Sequence, residues 1–130
     1  MYDKSMYIDD IEDRDKFLKM YYKNMMFFNE KHLKKALERH SKFEGDAISQ
    51  ELRCCFANEF EEWEEDYFGE SGVAYYFDYP AVEKDCIVIL TYKEFYEYLL
   101  YACKKYIEKH SEEKDIIYEY LNKIKVNLNL

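Results

Sequence analysis

An α+β fold is predicted: a small antiparallel sheet packed with about four helices, in a single domain over residues 1–130. Two patterns of different period carry that expectation. The run from Val73 to Tyr79 is β-branched and aromatic, and the run from Cys86 to Leu90 is short and apolar. Between them lie Pro80 to Asp85, turn-forming in character, so the three segments make a hairpin. Directly afterwards Tyr92, Phe95, Tyr96, Leu99, Cys103, Tyr106 and Ile107 recur at helical spacing as far as Lys109, the longest such pattern in the chain. A chain of 130 residues has room for one hydrophobic core without disulfides or metal.

The elements follow in order. Residues 13 to 28 read as a helix, with Asp13 and Asp15 at its positive end and Phe17, Tyr21, Met25 and Phe28 inward. Met20, Met25 and Met26 read as core filler rather than as a binding groove. Asn29 is a candidate N-cap for a second helix, with Leu33, Ala36, Leu37 and His40 on one face, lysines and Arg39 on the rest, and Gly45 at or beyond its end. Residues 47 to 56 fit either period, and a strand over Leu52 to Ala57 is preferred. Thr91 and Glu94 match a capping box, in which each side chain satisfies the other residue's backbone N–H, and so start the long helix. Ser111 opens a last helix with Ile117, Tyr120, Leu121 and Ile124 inward. The tail from Val126 to Leu130 is expected to fray or to add a short edge strand.

Composition excludes several functions. A formal charge of −9 opposes binding to nucleic acid or to an anionic membrane, and favours a basic protein as partner. Met1 to Asp10 has no basic segment followed by an apolar run, so a cytoplasmic protein is expected. Cys54, Cys55, Cys86 and Cys103 lack the paired spacing of a zinc knuckle and read as buried thiols. His32, His40 and His110 stand apart from any nucleophile, and Asp78 with Glu83 or Asp85 sits around a turn. No enzyme activity, cofactor or metal is expected.

The stretch that stands out is acidic and aromatic: Glu59, Phe60, Glu61, Glu62, Trp63, Glu64, Glu65, Asp66, Tyr67 and Phe68. Crowded carboxylates repel one another by roughly 1 kcal/mol per close pair in water, and a cationic partner relieves that repulsion. Two readings fit. The run is either a docking surface, with rigid rings between carboxylates, or a helix with Phe60, Trp63 and Tyr67 buried and a solvated acidic face. Asp78 and Tyr79 at the end of the following strand extend the candidate partner-binding set.

The order of Cys55 and Phe56, the acidic run to Gly69, the segment from Gly72 to Pro80, and the segment from Ile87 to Leu99 resembles the ribonuclease-toxin immunity proteins of bacterial contact-dependent growth inhibition systems. The likeness covers roughly Leu52 to Ile107 and rests on an aromatic and acidic pattern. It implies a small cytoplasmic protein, monomeric when free. Its partner would be a cognate basic toxin domain, the C-terminal part of a large adhesin, whose RNA-cleaving site it covers. The competing function is an acidic nucleic-acid mimic that inhibits a cellular DNA- or RNA-binding protein. The same acidity supports both, and the identity of the partner separates them.

Overall fold

The structure is a computed structural model and describes residues 4–130. The expectation about the first ten residues therefore falls partly outside the described residues. Asp10 accepts the backbone N–H of Asp13 and caps α1 (Ile11–Asn29), which starts ahead of the expected Asp13. α2 (His32–His40) follows with no side-chain cap. Asn29 is not its N-cap but the last residue of α1. Glu30 and Lys31 keep helical backbone angles, so no extended residue is present from which a cap could turn back.

Four strands come next in the chain: β1 (Asp46–Ala47), β2 (Leu52–Phe56), β3 (Val73–Phe77) and β4 (Cys86–Leu90). They form one antiparallel sheet in the order β1-β2-β3-β4. The hairpin is as expected, except that Asp78 and Tyr79 belong to the turn rather than to the strand. β1 was not anticipated. Gly45 does not end α2 but lets this segment approach β2, because a Cβ there would stand 2.1 Å from the Cys54 carbonyl oxygen. Thr91 and Glu94 form the capping box that opens α3 (Tyr92–Lys109). Ser111 starts a 3-10 turn, and α4 (Lys114–Asn127) runs on from it. The tail neither frays nor pairs as a strand: the helix continues to Asn127, whose amide donates to the Ser41 carbonyl at 2.7 Å, and Leu128 is buried.

The helices cover one face of the sheet. Leu52, Cys54 and Phe56 meet Tyr75, Phe77, Val88 and Leu90 there, under Leu18, Tyr21, Tyr22, Leu99 and Ile117. Phe28 is not part of this core. It is 69% exposed beside Phe27, because the last turn of α1 carries its side chains out to solvent. α1 and α3 run parallel: Arg14 pairs with Glu94 at 3.0 Å, the Tyr98 hydroxyl donates to Asp15 at 2.9 Å, and Glu30 meets His110 at 2.9 Å.

The opposite face is smaller and closed differently. Ala74, Tyr76 and Ile87 are buried under Tyr7 and Phe68. The outer edge of β4 is also occupied. The Ile8 N–H donates to the Ile87 carbonyl at 2.9 Å, and the Arg14 guanidinium to the Ile89 carbonyl at 3.3 Å. Those carbonyls would otherwise invite another strand.

Candidate functional site

Phe56 and Val73 are partners at the end of the β2–β3 ladder, and beyond them the Ala57 N–H donates to the Gly72 carbonyl at 3.0 Å. The acidic run is thus a loop pinched at its base, opened by a 3-10 turn (Ala57–Glu59). It is not a helix with an aromatic stripe. Gly72 is required at the closing side, since its φ is +108° and a Cβ would meet the Leu90 carbonyl oxygen at 2.8 Å.

The carboxylates divide by role. Glu59 accepts the Phe56 N–H at 2.6 Å, and Glu64 accepts the Glu61 N–H at 3.0 Å, so these two hold the loop's own backbone. The carboxylates of Glu61, Glu62 and Glu65 are exposed and make no ion pair among the described residues. Asp66 is half-buried beside Tyr7 and Cys55. Burial first, then the charge of Asp66, raises the Tyr7 hydroxyl pKa. Burial, then Glu59 and Asp66, pushes the Cys55 thiol to about 11.

The rings divide in the same way. Phe60 and Phe68 pack edge to face with centroids 6.4 Å apart, and Phe68 reaches the minor core under the sheet. Tyr67 is half-buried, while Trp63 is 82% exposed at the crest of the loop. The loop therefore presents one free indole among free carboxylates on a base fixed by aromatic packing and backbone hydrogen bonds.

Asp78 and Tyr79 lie elsewhere. They follow the far end of β3, roughly 20 Å from Gly72 at the usual strand rise. Asp78 is paired with Arg53 at 2.7 Å, and that guanidinium lies 4.7 Å from the Tyr76 ring centroid. Tyr79 is 70% exposed, with its N–H held by Asp85 at 2.7 Å.

The histidines are engaged inside the fold. His40 is buried between Phe56 and Phe95 and donates from Nδ1 to the Glu44 carbonyl at 2.9 Å, and burial lowers its pKa. His32 bonds both oxygens of buried Asp46, at 2.8 and 3.0 Å. His110, Glu112 and Glu113 bring possible metal-ligand atoms within 4.8 Å of one another. Glu113, however, already takes Lys34 and the Tyr106 hydroxyl, and His110 pairs with Glu30. The four cysteines are unpaired; Cys54, Cys86 and Cys103 are buried and Cys55 half-buried.

Sequence reasoning missed the exposed pair Phe27 and Phe28, since their spacing with other apolar residues in α1 matches an inward face. No helix among the described residues is long and apolar enough to cross a membrane. No curated protein matches the chain significantly. A family model described as CDI immunity protein matches residues 14–121, from the first turn of α1 into α4 with the acidic loop included. Such a family implies an immunity role against a toxin, and an inhibitor rather than an enzyme. On that match, the chain belongs to the CDI immunity protein family.

Proposed function

We propose that this protein neutralises a basic ribonuclease toxin domain by seating its acidic loop over the toxin's RNA-cleaving site, in the cytoplasm of the protected cell. The toxin domain would be the C-terminal part of a large adhesin, and the inhibitor would be monomeric until it meets it. One observation carries the reading: Trp63, exposed at 82%, stands among the unpaired carboxylates of Glu61, Glu62 and Glu65 on a rigidly closed base. Ribonucleases hold phosphates with Lys, Arg and His and stack bases on flat side chains. A ring flanked by carboxylates imitates both parts of that ligand. Glu59 and Glu64 shape the loop, Tyr67, Phe68 and Asp66 stiffen it, and Tyr79 lies at the rim of any contact that extends along the sheet.

The test is binding kinetics between this chain and the toxin domain encoded beside it, at low and moderate salt. Fast association that slows steeply with salt is the expected result, together with loss of RNA cleavage at equimolar inhibitor. Association that salt leaves unchanged would count against the loop as the docking surface.

A further inference from the structure

The C-terminal halves of α1 and α3, away from the Thr91 end of α3 that adjoins the acidic loop, carry a cluster of lysines. Between these halves, two adjoining depressions of about 540 and about 490 Å³ share Met20, Lys23, Met26 and Lys109. Lys19 and Lys105 add to the rim, and each has its ammonium within 6 Å of the Tyr101 ring, at 5.4 and 5.8 Å. Lys19 is paired with Asp15 at 3.0 Å, so Lys23, Lys105 and Lys109 face Glu30 and Glu108, and Glu30 is itself held by His110, in a chain whose net charge is −9. Helix dipoles account for little of this. Lys109 lies in the last turn of α3, where a cation is favoured, but the last turn of α1 has no basic residue. The floor is apolar: Met20 and Met26, which read as core filler, are half-buried here, and exposed Phe27 forms one end.

We infer that this groove docks an acidic amphipathic helix of a partner protein, apolar stripe down on the methionines and carboxylates against the lysine rim. Its length fits: Lys19 to Glu30 spans roughly 16 Å of α1, about three helical turns. Two packed helices offer no open row of backbone donors and acceptors, so an extended segment would leave its own backbone unpaired, whereas a helix arrives satisfied. Methionine floors adapt to varied side chains. This inference is independent of the acidic loop and of the toxin assigned to it.

The probe is a fluorescein-labelled amidated peptide of roughly 14 residues with Leu at helical i, i+3, i+4 and i+7 spacing and Glu elsewhere, titrated with the full chain. A scrambled peptide of the same composition and a titration with laurate run beside it. Saturable anisotropy is expected, weakened at least tenfold by the exposed double substitution Lys23→Glu and Lys109→Glu, with the scrambled peptide clearly weaker. Circular dichroism melts establish that the double variant is folded. Absence of saturation, equal binding of the scrambled peptide, or insensitivity to the double substitution would overturn the inference. So would laurate binding without peptide binding, which would mark a site for single-chain lipid anions. A toxin complex that forms normally in the double variant leaves the groove and the loop separable.

Discussion

The carboxylate of Glu59 accepts the backbone N–H of Phe56 at 2.6 Å, which ties one acid of the loop to the end of the β2 strand. Glu59 is therefore foundation, whereas Glu61 and Glu65 are crest. Glu59→Ala is expected to destabilise the fold by about 1–2 kcal/mol, as the loss of a charge-assisted bond to a partly buried N–H. Glu61→Ala and Glu65→Ala should stay within about 0.5 kcal/mol of the parent, with any change toward greater stability as repulsion falls. Urea denaturation of the three variants checks the ordering, and equal costs would refute the division of roles.

The crest residues should separate kinetically. Glu61→Gln, Glu62→Gln and Glu65→Gln together are expected to lower the on-rate for the toxin and flatten its salt dependence. Trp63→Ala should instead raise the off-rate and cost about 2 kcal/mol or more, roughly 30-fold in Kd. Because the indole is exposed, its removal should leave the melting temperature nearly unchanged. Surface-based kinetics paired with thermal melts measures both, and a Trp63→Ala protein of parental off-rate would remove the indole from the interface.

Two neighbouring tyrosines should respond differently to loss of a hydroxyl. The Tyr22 and Tyr75 hydroxyls share a buried hydrogen bond at 2.5 Å, whereas the buried Tyr21 hydroxyl has no nitrogen or oxygen partner and meets only the weak Cys54 thiol. Tyr22→Phe leaves Tyr75 unpaired and is expected to cost about 1–3 kcal/mol. Tyr21→Phe should cost less than about 1 kcal/mol or stabilise. Chemical denaturation decides, and a reversed order would contradict the hydrogen-bond assignment.

Protonation of His110 couples the ends of α1 and α3. Glu30 beside the ring, against a smaller effect of desolvation, raises its pKa above 6.5. The contribution to stability is thus fully present below 6.5 and disappears as the pH rises through the raised folded value. His110→Gln should therefore lower the denaturation midpoint most in mildly acid solution and progressively less in alkaline solution. A pH-independent difference between the two proteins would rule out this linkage. His40 acts in the opposite sense: burial lowers its pKa, so its neutral burial costs stability as the pH falls below 6.5.

Local patterns in the sequence carried much of this fold. The β3–β4 hairpin and α3 each rest on a single uninterrupted period, and Thr91 with Glu94 marks the helix start within one turn. The acidic run was legible in chemistry but not in shape, because Phe60, Trp63 and Tyr67 also match a helix. The signal against that helix was present. Glu61 with Glu65 and Glu62 with Asp66 place like charges at i, i+4, with no lysine or arginine between Asn58 and Glu83 to offset them. Pairing of Phe56 with Val73 then brings the ends of the run together, which favours a closed loop. Phe28 was misplaced because periodicity gives a face but not where the neighbouring elements stop. The His32–Asp46 pair and the separation of Asp78 and Tyr79 from the loop depend on contacts between distant segments, and no local spacing encodes them.

The strap formed by Tyr7 and Ile8 across the rim of β4 has a practical consequence for handling the protein. A bulky tag or fluorophore joined just ahead of it pulls on the segment that seals the last strand, and loosening it bares the Ile87 carbonyl to passing chains. The other terminus is the safer handle. Asn127 and Leu128 anchor it to the body, and Leu130 beyond them is exposed at 43%. That end lies toward the base of the loop, since Asn127 meets Ser41 and Asn58 donates to the Phe43 carbonyl at 3.2 Å, so immobilisation there calls for a long flexible spacer.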